Sequence, residues 1–145
     1  MKLNIYITTD ISSIKYQEGK AIVILADASN KNTMTYTHNI KANGTTASLI
    51  ALSKSLAQIK PSVDEVIIHD NSTFIAQNYV RNSMYYWRDH GWKRPQGRKL
   101  ACAAEWQVIF EKLIDGKKVS FEDNRNNEFT KWMEAEIKLP WEKKK

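Results

Sequence analysis

The hydrophobic pattern of this chain keeps a strand period for about forty residues before its first helical stretch, and that long opening run of strands limits the possible folds more than any other feature. Leu3, Ile5 and Ile7 alternate with Asn4, Tyr6 and Thr8, the period of a half-buried strand. Ala21-Ile22-Val23-Ile24-Leu25 reads as a second strand. Met34, Tyr36, His38 and Ile40, alternating with Thr35, Thr37 and Asn39, read as a third. Gly19 and Asp27-Ala28-Ser29-Asn30 supply turn residues, so an antiparallel meander is predicted. From Thr45-Thr46 onward the period is helical, with Leu49, Leu52, Leu56 and Ile59 on one face and Pro61 closing the element.

Beyond Pro61, Val66-Ile67-Ile68 is a short apolar run of the kind found in parallel strands covered on both faces. Asp70-Asn71-Ser72 follows as a helix cap, leading into a helix from Phe74 to Tyr79. A Trp- and Tyr-rich helix is predicted from Asn82 to His90, then a basic loop from Gly91 to Lys99 and a helix from Leu100 to Ile114. Asp115-Gly116 turns into a last strand, Val119 to Glu122, and Phe129, Trp132, Met133 and Ile137 make a final amphipathic helix. The 145 residues suit one compact domain, expected over 1–138, with a basic tail over 139–145.

Net charge is +6, which favours a polyanionic partner, nucleic acid above all. The charge is concentrated: Arg88, Lys93, Arg94, Arg98 and Lys99 lie together, interleaved with Trp87, His90 and Trp92, and Lys143-Lys144-Lys145 ends the chain. No apolar run approaches a membrane span. The first residues lack the long apolar region of a signal peptide, so a cytoplasmic, monomeric protein is expected. Cys102 is the single cysteine, expected to pack as a small apolar group on a helix. His38, His69 and His90 are too scattered for a metal cluster, and His69 should face away from Asp70.

This order of elements resembles that of the type 1 ribonuclease H family, and residues along nearly the whole chain agree with it. Ala47-Ser48-Leu49-Ile50-Ala51-Leu52 is similar to that family's Ala-Glu-Leu-Ile-Ala-Leu helix start. Val66 to Ser72 resembles the strand ending in Thr-Asp-Ser, and Ile7-Thr8-Thr9-Asp10 the first strand with its terminal aspartate. Trp87 to Lys93 looks like the bacterial basic protrusion, and Glu105-Trp106-Gln107 the helix after it. The resemblance implies an α/β ribonuclease H-like fold: a five-stranded mixed sheet flanked by helices, with a basic protrusion.

It also implies chemistry. Members of the family cut the RNA strand of an RNA/DNA hybrid with two Mg²⁺ ions held by four carboxylates. Asp10 and Asp70 match the first and third carboxylates, as the catalytic and metal-binding pair, and are expected roughly 4–7 Å apart on adjacent strands. The second position is Ser48. The fourth, in an Asn-Glu-x-x-Asp pattern, is Lys131, whose ammonium would repel a cation. The Gly-rich loop after the first aspartate is replaced by Ile11 to Gln17, and the His-bearing loop by Glu122 to Asn126. Trp87, Arg88, Trp92, Lys93, Arg94, Arg98 and Lys99 are the expected nucleic-acid contacts.

Three functions follow as expectations. The first is binding of nucleic acid (RNA/DNA hybrid, duplex or single strand) by a domain whose two-metal site is impaired. The second is an active Mg²⁺- or Mn²⁺-dependent ribonuclease H using Asp10, Asp70 and a carboxylate recruited from Asp123 or Glu128. The third is a protein-interaction module whose basic protrusion docks an acidic partner.

Overall fold

The computed structural model describes residues 1–60 and 62–140; Lys143 to Lys145 and most of the expected tail lie outside them. The three predicted strands are β1 (Lys2–Thr9), β2 (Gln17–Asp27) and β3 (Thr33–Ala42). Then come α1 (Ala47–Lys54), β4 (Glu65–Asp70), α2 (Phe74–Val80), α3 (Ser83–Asp89), α4 (Ala103–Ile109), β5 (Lys118–Glu122) and α5 (Thr130–Ile137). Strand order is β3-β2-β1-β4-β5. The first three strands are antiparallel neighbours, whereas β4 pairs in parallel with both β1 and β5. Both parallel pairings need crossover connections, which the helices supply.

The main core lies on the face covered by α1 and α4, and includes Ile5, Ile7, Val23, Leu49, Leu52, Ile68, Trp106 and Phe110. On the other face a smaller core joins Tyr6, Ile22, Ile24 and Ala26 to Met133 of α5. β1 is therefore buried on both faces, not half-buried as its alternation suggests. Its polar positions pack within that second layer: the Tyr6 ring stacks on His69 at 4.2 Å and meets Phe129 edge-on at 4.8 Å.

Two helices are shorter than their periodicity predicts. α1 ends at Lys54, although Leu56 is fully buried beyond it. There the Ser55 hydroxyl donates to the Ala51 carbonyl at 3.0 Å and contacts His38 Nε2 at 2.8 Å, side-chain bonding that competes with the next helical turn. α4 starts at Ala103 because Cys102 has φ +58°, so the cysteine precedes the helix instead of lying in it. The helix continues to Ile114 as a π-helical turn.

One lysine fastens α5 to the sheet. Lys20 is 7% exposed, and its Nζ donates to the Glu136 carbonyl at 2.6 Å and the Leu139 carbonyl at 3.2 Å. A cation at the carbonyl end of a helix is favoured by the helix dipole. Lys20→Met should lower stability by about 2 kcal/mol, read as a lower urea midpoint with an unchanged slope.

Candidate functional site

The C-terminal edge of β1 and β4 is where the resemblance places catalysis, and the register of the two strands sets what meets there. Ile7 is the partner of Asp70. In-register residues of parallel strands point to the same face, so the β1 side chain beside Asp70 is an isoleucine only 1% exposed. Ser48, on the buried face of α1, donates to Asp70 Oδ1 at 2.9 Å, and the Ser72 amide donates to the same oxygen at 3.0 Å. Asp70 Oδ2 is buried and has no hydrogen-bond partner among the described residues. Burial pushes the Asp70 pKa up to about 6, against the opposing pull of the Ser48 and Ser72 hydrogen bonds. Thr9, Ser12, Gly44 and Asn71 complete a depression of about 320 Å³ around this carboxyl.

Asp10 lines a different depression from Asp70. It lies three positions past Ile7, just beyond the end of β1. Its Oδ1 accepts the Lys20 amide at 2.9 Å while its own amide donates to the Lys20 carbonyl at 3.1 Å. The carboxyl thus extends the β1–β2 ladder and lines a separate depression with Glu18, Lys20, Asn39 and the end of α5. Gly19 is required there: a Cβ would sit 2.6 Å from Asp10 Oδ1 and 2.3 Å from Ile11 Cγ1.

The other expected site residues are also separated. Lys131 is exposed on the first turn of α5, between buried Thr130 and Met133, and forms no ion pair among the described residues. Glu128 Oε1 accepts Asn30 Nδ2 at 2.6 Å, within a cluster where Asn30 also bonds Tyr6 and Asn4. Asp123 Oδ1 accepts the Arg125 amide at 3.2 Å, closing a turn of its own loop.

The residue that spans the strand ends is one the sequence reading did not single out. Asn124 is 4% exposed. Its Nδ2 donates to the Ile7 carbonyl and Thr8 Oγ1, both at 3.0 Å, its Oδ1 accepts Asn127 Nδ2 at 2.7 Å, and its amide donates to Asn71 Oδ1 at 2.7 Å. The polar run Asp123 to Asn127 was its only signal.

The basic loop folds as a small hairpin. Lys93 and Lys99 form a bridge, the Arg94 amide donates to the Arg98 carbonyl at 2.8 Å, and Pro95–Gly97 makes the turn with φ +64° at Gln96. Lys93, Arg94, Arg98 and Lys99 are exposed and carry no acidic partner among the described residues. The remaining three expected contacts serve as its anchor. Trp87 packs on Trp106 at 5.1 Å and Trp92 meets Phe110 edge-on at 5.7 Å. Arg88 lies 5.3 Å from both the Tyr85 and Phe110 ring centres, with Nε 3.1 Å from Asp89. Aromatic and cation–π packing thus accounts for Trp87, Arg88 and Trp92.

No protein-family model and no curated protein matches the chain. Solved structures do. A foamy viral protease-reverse transcriptase in complex with dsDNA aligns at 13% identity and TM-score 0.62, over 92% of this chain and 86% of that one. The same kind of viral enzyme in complex with RNA/DNA hybrid aligns at 15% identity and TM-score 0.64, over 95% of this chain and 19% of that one. The N-terminal RNase H domain of a Mycobacterium tuberculosis protein aligns at 13% identity and TM-score 0.59, over 93% and 95%. At such identities the likeness is one of architecture, and the strand order, the mixed sheet and the helix placement all agree with it: the chain has the ribonuclease H fold.

Proposed function

We propose that this protein binds nucleic acid through the hairpin over 93–99 and that its two-metal nuclease site is impaired. The observation that carries the reading is the isolation of Asp70, with Ile7 beside it on β1 and the neutral Ser48 opposite. A pair of Mg²⁺ ions needs several hard oxygen ligands and compensating negative charge. Here one carboxylate is present, one of its oxygens is already bonded twice, and no group of three His, Cys, Asp or Glu residues among the described residues could hold a metal ion. The residues do not fit the family's metal pair. The rival reading, an active enzyme with a recruited acid, is weakened by the engagement of Glu128 with Asn30 and of Asp123 with its own loop. For binding, four exposed cations on one hairpin suit phosphate contact. Two of the fold's solved relatives are themselves complexes with dsDNA and with RNA/DNA hybrid.

The wild-type protein is expected to leave an RNA/DNA hybrid uncut in Mg²⁺ and to show at most weak cleavage in Mn²⁺, assayed on denaturing gels. Robust Mg²⁺-dependent cleavage that Asp70→Asn abolishes would overturn the impaired-site reading. Reversing Arg94, Arg98 and Lys99 to glutamate should weaken binding and reduce the slope of log affinity against log salt by roughly one per lost phosphate contact. An unchanged slope places the binding face elsewhere.

Asp70 also makes a stability prediction. A carboxyl whose folded pKa is raised to about 6 from 3.8 binds its proton more tightly in the folded state, so stability falls as pH rises from 4 through 6. Asp70→Asn keeps the Oδ1 acceptor and removes the buried charge. It should stabilise the protein by on the order of 3 kcal/mol at pH 7, and this gain should vanish near pH 4. Thermal melts of both proteins across that range, with and without Mg²⁺, check it; a large Mg²⁺-induced rise in the wild-type melting temperature would speak for a working metal site.

A further inference from the structure

The chain has six tyrosines. Five pack against a second ring: Tyr6 on His69, Tyr36 on His38, Tyr79 on Phe121, Tyr85 on Phe110 and Tyr86 on His90. Tyr16 is the exception among the described residues. It is 57% exposed at the end of the loop joining β1 to β2, two residues after Ile14, which is 91% exposed. A solvated aromatic ring beside a solvated isoleucine has no role in the core, and loops that carry such residues are frequent recognition elements.

Tyr16 also has a defined neighbourhood. It borders an open depression of about 580 Å³ that is also lined by Ile50 of α1, by Leu100 and Ala104, and by Lys99 of the basic hairpin. The single acid on the rim is Glu105, which disfavours a phosphate at its own position and leaves the Lys99 margin for one. An aromatic face and an apolar floor next to an unpaired cation is the combination that accepts one unpaired nucleotide, with its base on the ring and its phosphate on the ammonium. A duplex offers this arrangement little, because its bases are already stacked on one another. The segment from Ile11 to Gln17 has no glycine, so side chains instead of bare backbone face an approaching ligand.

We infer that Tyr16 and Lys99 frame a subsite for an unpaired nucleotide, making single-stranded nucleic acid the preferred ligand of the binding surface. This rests on the proposed nucleic-acid-binding reading and specifies its ligand class. The ring supplies stacking, which is tolerant of base identity, and the hairpin cations track the backbone.

The test is fluorescence anisotropy with a labelled oligo-dT of about twenty nucleotides, a DNA duplex and an RNA/DNA hybrid of matched length, at one salt concentration. The single strand should bind at least about fivefold more tightly than the duplex. Tyr16→Ala should weaken single-strand binding by about five- to tenfold while leaving its salt slope intact, and Tyr16→Phe should retain wild-type affinity, because stacking needs the ring and not the hydroxyl. Lys99→Ala should lower the slope by about one. Each variant alters an exposed side chain, and a circular dichroism melt confirms that it is folded. Wild-type single-strand affinity in Tyr16→Ala, or tighter binding of either duplex, overturns this inference. If the hairpin charge reversal still abolishes binding in that case, the broader reading stands. Absence of binding to all three probes overturns both, and leaves an acidic protein as the partner of the hairpin.

Discussion

The pairing of β1 with β4 is the constraint on which the rest of the molecule depends. It is the join between an antiparallel half and a parallel half of one sheet, and it places Ile7 next to Asp70. A strand can slip by one residue only by moving its whole apolar set to the other face. Ile5 and Ile7 are buried in the main core and Tyr6 in the smaller one, so the register is held from both sides. Asp10, the residue after β1, is tied to β2 through the Lys20 amide.

This arrangement leaves a buried acid without a compensating charge. Asp70 keeps the Ser48 hydroxyl and Ser72 amide on one oxygen and, among the described residues, nothing on the other. Such a group costs stability whenever it is ionised. The second face shows how the other acids are occupied. Tyr6, Asn4, Asn30 and Glu128 form a connected hydrogen-bonded cluster, with His69 stacked on Tyr6 and its Nδ1 3.4 Å from Glu122. Moving Glu128 to the strand ends would strip Asn30 of an acceptor, so that network opposes the recruitment an active site would need.

The basic hairpin divides its residues between support and contact. Trp87, Trp92 and Arg88 interlock with Trp106, Phe110 and Tyr85, and they hold a tip whose four cations face solvent. Backbone recognition of a polyanion needs positive charge at the surface but no defined base contacts. A packed aromatic base under a charged tip meets that need.

The sequence by itself determined the five strands, their order with the helices, the neutral Ser48 at a position where the resembled family has an acid, and the cationic loop, because all of these are written in local periodicity or residue type. It also indicated that His69 turns away from Asp70, since alternation along a strand is a local property. Only the tertiary structure decided that Asp10 bonds to Lys20 and lines a different depression from Asp70, that Glu128 belongs to Asn30, that Trp87 and Trp92 pack on Trp106 and Phe110, and that Asn124 bridges the strand ends. It also decided that α1 stops before Leu56 and that β1 is covered on both faces. The physical reason is the same in each case: strand register and side-chain partnership are set by contacts between residues far apart in the chain, and no local period encodes which distant residue completes a hydrogen bond or a packed ring.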